Sequence, residues 1–394
     1  MIKNLIFKNF YSFADDTVID FALGKKPTPS GYDIDVVGER YNKAIAVVGA
    51  NGSGKTQFLK PLAFLRWFIA NSFLGSDPER DIPISGHALH GSEPSRFELE
   101  FMVGGTDYRY QLELTPKEVL FEALYAKTST QFSYLFKREK SEQGYRFKHK
   151  GFPFPKAQAE KLRGNTSLIS AAHSYDVEAA KPFIDFFSRI ETNVVSDGRR
   201  HFHHGALVGA ATSFQKAPEL QTRMSKALST FDLGLDGVEI RKLPVLDETG
   251  QEEEIYLPFG THTTEDGRSF ELSFFEESSG TQSAFVLLEP ILNTLCNGGI
   301  AVIDEIDNDL HPHLVPHLLE WFEFEHTNPH QAQLIFTCHT PEVLNLLQKH
   351  QIYLVEKRNQ QSEAWRLDDM MGLRADDNLY AKYMAGGLGA TPEL

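Results

Sequence analysis

The fold is decided by "AVVGANGSGKTQFL", residues 46–59, which sets Gly49, Gly54, Lys55 and Thr56 in the pattern G-x-x-x-x-G-K-[ST]. The apolar run Ala44 to Val48 leads into it and a helical pattern leaves it, the order of strand, Gly-rich turn and helix that a phosphate-binding loop requires. Glycines there let successive N–H groups turn inward around a phosphate, and the helix N-terminus adds its dipole. Contacts to ATP are therefore expected from Gly49, Asn51, Gly52, Ser53, Gly54, Lys55 and Thr56. Lys55 would reach the β and γ oxygens, and Thr56 would ligate Mg²⁺. The alternative, a Gly-rich turn that binds nothing, sits poorly with the flanking strand and helix.

Downstream, "TQFLKPLAFLRWFIANSF" repeats Phe58, Leu59, Leu62, Leu65 and Ile69 at helical spacing, with Pro61 in its first turns. Upstream, Ile2, Leu5, Phe7 and Phe10, then Val18, Ile19 and Phe21, predict two short strands around "ADD". "FELEFMVGGTDYRYQLEL" alternates on either side of Gly104-Gly105 and predicts a hairpin. From about Thr115 to Gly267 the text becomes heterogeneous, with the charged "KREKSEQGYRFKHK", the Pro-rich "GFPFPK", the helical "VEAAKPFIDFFSRI" and the acidic "DETGQEEEIYLPF". This stretch is expected to be an insertion, part helical and part hairpin, with the charged run as a turn facing water. It has no repeat and no heptad array long enough for a coiled coil.

The later part of the chain supplies acids to face the loop. "GGIAVIDEIDNDLHP" carries the apolar run Ile300 to Ile303 into Asp304-Glu305, as expected of a buried parallel strand whose carboxyl end opens onto a ligand. Asp304 would hold Mg²⁺ through water and Glu305 would polarise the attacking water. "AQLIFTCHTPEVLN" gives a third apolar strand, Leu334 to Phe336, that delivers His339 just past its end, where an imidazole can sense the γ-phosphate. Between insertion and Asp304, Ser278, Ser279, Gly280, Thr281 and Gln282 precede the helical run "SAFVLLEPIL", either as a helix cap or as an anion contact. The expected catalytic set is Lys55, Glu305 and His339.

Bulk properties bound the setting. A chain of 394 residues accommodates one large domain with an insertion or two to three compact ones. A net charge of −15 argues against a broadly basic nucleic-acid binder and leaves a local contact with nucleic acid open. The two cysteines, Cys296 and Cys338, lie in or beside apolar runs, and neither a signal sequence nor an apolar run of spanning length occurs. The expectation is a cytoplasmic protein with reduced thiols and no membrane contact.

The order of phosphate loop, S-S-G-T-Q, Asp-Glu and His resembles that of an ABC-type ATPase. The chain is similar to the ABC-type AAA ATPases related to SMC and OLD proteins, a group rich in bacterial antiphage and abortive-infection systems such as Septu and PARIS. The resemblance covers about 1–115 and 268–394, through "NFYSF", "GANGSGKT", "ESSGTQ", "DEIDNDLHP" and "LRADDNLYAKYMAGGLGATP". It implies an α/β ABC-type P-loop head, a mixed sheet with flanking helices, interrupted by an α+β insertion at 116–267. It also implies a homodimer or higher homo-oligomer in which Ser279 and Gly280 contact the γ-phosphate of a partner's nucleotide and Asn308 to His311 lie at the seam. Thr281 stands where the common signature has a second Gly, and Gln111 is the candidate for the Mg²⁺-sensing glutamine.

Such a resemblance implies a regulatory or sensing ATPase that controls a separate effector, such as a nuclease, in antiphage defence. An SMC-like DNA-repair or DNA-maintenance ATPase is the alternative, though the long heptad arms of that class are missing. An OLD-type nuclease needs a Toprim domain, for which the roughly 55 residues after His339 are too few. Transporter ATPases usually place loop and Asp-Glu pair much closer than the roughly 250 residues found here. The cluster "DGRRHFHHG", with Arg199, Arg200, His201, His203 and His204, reads as a partner or nucleic-acid contact or as a solvated loop. No acidic or Cys partner at ligand spacing supports a metal there.

Overall fold

The computed structural model describes residues 1–391 apart from 25–26, 201, 232, 247–251, 309–313 and 375. Two large sheets carry the fold. The first is antiparallel and seven-stranded, in the order Gly144–His149, Phe132–Ser141, Val119–Lys127, Thr106–Leu114, Ser95–Val103, Ile2–Lys8, Thr17–Asp20. It includes both strands expected around "ADD" and the hairpin that turns at Gly104-Gly105.

The second sheet has six strands, in the order Ile190–Thr192, Ile300–Ile303, Gln333–Thr337, Ala44–Val48, Ile352–Arg358, Gln361–Arg366. Its first five strands run parallel, and the last pairs antiparallel at the edge. Every residue of Ala44–Val48, Ile300–Ile303 and Gln333–Thr337 is buried, which is why these strands read as continuous apolar runs and not as alternation. Ile45, Val47, Ile300, Val302, Ile335 and Val355 enter one core with the antiparallel sheet and the phosphate-loop helix Lys55–Asn71. Ala44, Ala46, Val48, Ala301, Ile303, Leu334 and Phe336 enter a second core with the helices Ser279–Asn297 and Leu314–Glu323. The phosphate-loop helix is thus packed between the two sheets, and the helix behind S-S-G-T-Q lies on the opposite face.

Several strands of the stretch 116–267 join the two large sheets, while Gly237–Leu246 and Glu252–Thr263 form a separate three-stranded sheet with Ser269–Ser273. Val119–Lys127, Phe132–Ser141 and Gly144–His149 extend the antiparallel sheet, and Ile190–Thr192 is an edge strand of the parallel one. Hydrophobic alternation announces a strand without naming its partners, so the sheet these strands join was invisible in the text. The run "KREKSEQGYRFKHK" does form the expected hairpin, turning at Ser141 and Gly144. Its Arg138 is nevertheless fully buried, because it meets the equally buried Glu122. Pro61 falls past the first turn of its helix and is itself buried.

Candidate nucleotide site

The loop between Val48 and Lys55 is built for close approach. A Cβ on Gly49 would come within 2.1 Å of the Val355 carbonyl, and one on Gly54, at φ +112°, within 2.4 Å of Ser362 Oγ. Gly52 also has positive φ but faces open space, and Asn51 and Gly52 stand exposed at the tip. Ser362 Oγ donates to the Ser53 carbonyl at 2.6 Å and shares a 2.6 Å hydrogen bond with Ser12 Oγ. Ser12 N donates to Gln57 Oε1 at 3.0 Å. The "NFYSF" segment therefore clamps the loop, itself anchored by Phe10 and Phe13 in the aromatic cluster around Phe7 and Phe58.

Lys55 Nζ folds back onto the carbonyls of Gly49 at 2.8 Å and Ala50 at 3.1 Å. Burial pushes its pKa below the ordinary lysine value, although Asp304, Glu305 and Asp307 pull the other way. A buried ammonium of this kind gains from an arriving phosphate. The helix it opens has no side-chain cap and no acid in its first turn, leaving the first N–H groups for an anion. Ser53 Oγ is buried without a hydrogen-bond partner. An uncapped helix end, a glycine cradle and an orphaned hydroxyl together fit a nucleotide phosphate.

The acids arrive from the neighbouring strands. Thr56 Oγ1 donates to Asp304 Oδ2 at 2.7 Å, and Thr337 Oγ1 donates to Asp304 Oδ1 at 2.6 Å. Thr337 Oγ1 in turn accepts from Glu305 N at 2.6 Å. Asn193, just past the edge strand, continues the ladder with its side chain: Oδ1 accepts from Asp304 N at 2.7 Å and Nδ2 donates to the Asp304 carbonyl at 2.9 Å. Asp304 is thereby fixed from three sides. Among the described residues no group of three His, Cys, Asp or Glu side chains could hold a metal. A divalent cation would instead rest on Thr56, phosphate oxygens and water, with Asp304 behind.

Glu305 sits at φ +52°, a left-handed conformation that costs a non-glycine residue about 1–3 kcal/mol and clusters at functional sites. Its Oε1 lies 3.2 Å from His339 Nε2 and its Oε2 lies 3.1 Å from Arg199 Nε. His339 is held at its backbone by Asp307, which accepts from the N–H groups of His339 and Thr340 and from Thr340 Oγ1. Burial pushes the Asp307 carboxyl up, but those hydrogen bonds outweigh it and hold it below the usual carboxylate range.

Lys55, Thr56, Asp304, Glu305 and His339 are thus brought together. Ser279 is exposed and Gly280 half-buried at the start of a helix on the opposite sheet face, outside this cluster. Their neighbour Ser278 caps that helix, accepting from Thr281 N at 3.1 Å. Gln111 lies in the antiparallel sheet and donates to Glu98 at 2.7 Å. Asn308 is described, whereas the rest of the expected seam loop, to His311, and His201 lie outside the described residues. Arg199, from the Arg/His cluster, is partly buried and pairs with Glu305. His204 packs its ring edge-to-face on Phe275 at 5.1 Å. Asn193, Thr337, Ser362 and Asp307 were not singled out from sequence. Thr337, a hydroxyl at the carboxyl end of an apolar strand two residues before His339, is the one whose position carried a signal.

Residues 44–345 match the family described as "AAA domain, putative AbiEii toxin, Type IV TA system". Among curated proteins none matches the chain. Solved structures similar to it include the SMC head domain from Thermotoga maritima, at 16% identity over 93% of this chain and 98% of that one, with a TM-score of 0.43. Another is an Smc head bound to the C-winged helix domain of ScpA, at 13% identity over 94% and 99%, with a TM-score of 0.48. A third is an Smc head with an extended coiled coil bound to the C-terminal domain of ScpA derived from Pyrococcus furiosus, at 12% identity over 93% and 97%, with a TM-score of 0.42. Among the described residues no helix is long and apolar enough to cross a membrane.

Proposed function

The chain belongs to this AAA-domain family, and on that premise we propose that it is a Mg²⁺-dependent ATPase that controls a separate effector, such as a nuclease, in bacterial antiphage defence. The observation that carries the chemical half is the convergence of Thr56, Asp304, Glu305 and His339 beside the glycine cradle and Lys55. The cradle and Lys55 bind and orient the triphosphate, and Thr56 would hold a Mg²⁺ that would supply charge neutralisation on the phosphates. Glu305 accepts a proton from the water that attacks the γ-phosphorus, and His339 steadies that carboxylate from the other side. The products are ADP and phosphate.

The exposed Ser279, on the sheet face opposite its own phosphate-loop helix, favours a second copy of the chain as the surface it meets, so that ATP joins protomers head to tail. The description of the matched family favours a toxin-linked defence role over DNA maintenance. Lys55→Ala tests the chemistry. Turnover measured as phosphate release in a pure preparation should disappear, and unchanged hydrolysis would overturn the assignment.

A further inference from the structure

Both oxygens of Glu305 are engaged, one by His339 and one by Arg199. A carboxylate that takes a proton from water needs an oxygen directed at that water. On the ATPase reading, withdrawal of one partner would leave a whole oxygen edge free to face that water. His339 is tied at its backbone to Asp307, directly past a buried strand. The backbone around Arg199 is held as well, and what sets Arg199 apart is a second acid, Glu289, lining the same cleft.

Arg199 and Glu305 line the mouth of a cleft of about 630 Å³ that also exposes Glu191, Glu289, Arg66, Arg200 and His203. Glu191 follows Ile190 in the edge strand, and its Oε1 accepts from Asn293. Glu289 projects from the helix Ser279–Asn297, and its Oε1 accepts from Ser213 Oγ at 2.6 Å. Burial pushes the Glu191 carboxyl above its ordinary value and the nearby Glu289 adds to this, with Arg66 and Asn293 opposing. Two neighbouring acids in a partly buried cleft are a place where a further guanidinium lowers the energy.

The backbone beneath Arg199 is firmly held. Val194–Val195 pairs with Gly198–Arg199 in a small hairpin, and the Ser196 carbonyl accepts from Lys60 Nζ at 2.7 Å and from Tyr11 Oη at 3.1 Å. Asn193 binds the Asp304 backbone on the other side. What can swing is the side chain. We propose that Arg199 is a positioning residue with two seats, Glu305 at rest and Glu289 during turnover, so that displacement of the Ser279–Asn297 helix by a partner protomer frees the Glu305 carboxylate. This rests on the ATPase reading and adds to it a route by which assembly controls chemistry.

The test is steady-state ATPase kinetics on the full chain for wild type, Arg199→Ala, Arg199→Lys, Glu289→Gln and the double variant Arg199→Ala/Glu289→Gln, with Lys55→Ala as the zero. Arg199→Ala should raise kcat about tenfold at unchanged KM, and Arg199→Lys, which can still pair, should return it towards wild type. Glu289→Gln keeps the acceptor for Ser213 and loses only charge, so it should lower kcat about tenfold in the wild type and do nothing in the Arg199→Ala background. A lowered kcat in Arg199→Ala, or an equal Glu289→Gln effect in both backgrounds, overturns the two-seat arrangement. Should Arg199→Ala fail to fold, Arg199→Gln is read the same way. Absence of Lys55-dependent turnover in every variant would instead remove the ATPase reading, and with it this inference.

Discussion

The molecule contains two glutamate–arginine pairs that teach opposite lessons. Glu122 and Arg138, in the antiparallel sheet, are both 0% exposed and stand 3.5 Å apart at their nearest charged atoms. Glu122 is saturated by donors, accepting from Tyr110 Oη, Ser167 Oγ and the Leu168 N–H. Arg138 gives one hydrogen bond to the Thr166 carbonyl and lies over the Tyr145 ring. Glu305 and Arg199, at the carboxyl end of the parallel sheet, are 27% and 21% exposed and 3.1 Å apart, on a strained backbone and beside a cleft. The first pair ties strands to the helix Leu168–Ser174 and has nowhere to go. The second is placed where partners can be exchanged. A buried charge is thus evidence for a site only when its surroundings leave room for a change of partner.

The largest effect should come from breaking the sealed pair. Arg138→Ala leaves Glu122 buried without its counter-charge, at a cost of about 3–5 kcal/mol. Urea unfolding should show that loss, while phosphate release per folded molecule stays at the wild-type level. A stability change under about 1 kcal/mol would mean that the donors around Glu122 suffice and that the arginine is incidental.

Glu305→Gln sharpens the contrast from the other side. Turnover should fall by about 10²-fold or more, with nucleotide still bound, because a positioned base is lost. Unfolding free energy should move by no more than about 0.5 kcal/mol, as for a partly exposed group outside the core. Loss of nucleotide binding with unchanged turnover of what remains bound would transfer Glu305 from chemistry to structure.

What the sequence revealed divides along the same line. The phosphate loop, the strand carrying Asp304-Glu305 and the strand delivering His339 were legible, because each is a continuous run with its chemistry attached at one end. Asn193, Ser362 and Arg199 were not. Asn193 reaches Asp304 across 111 positions and Ser362 reaches Ser53 across 309, so nothing in their local text marks them. Arg199 was visible only as one cation in an Arg/His-rich stretch, and its partner had to be found in space. The pairing of the strands inside 116–267 was illegible for a related reason. Strand pairing in the antiparallel sheet is decided by packing of faces that alternation alone does not identify. The pair Glu122–Arg138 lay hidden in that stretch, its arginine inside a run that looked like a solvated turn.

The smallest expected effect concerns two adjacent hydroxyls that repeat the comparison in miniature. Ser278 is the internally satisfied one, capping the helix through Thr281 N and bonded to Thr281 Oγ1 at 2.8 Å. Ser279 is exposed at the same corner. Ser278→Ala should cost about 1 kcal/mol of stability, as loss of an N-cap does. Ser279→Arg should cost almost nothing in urea unfolding yet place a bulky cation where a partner's γ-phosphate would arrive. Mixing Ser279→Arg with Lys55→Ala protein separates cap from contact. In a mixed pair one composite site carries both lesions and the other combines wild-type Lys55 with wild-type Ser279. Partial recovery of phosphate release in the mixture, absent from either variant alone, is the expected result. Because a shared site links association to nucleotide state, ATP should also shift the wild type towards the larger species in light scattering. No recovery despite demonstrated mixed assembly would leave Ser279 as a plain surface residue, and the corner as a helix cap and nothing more.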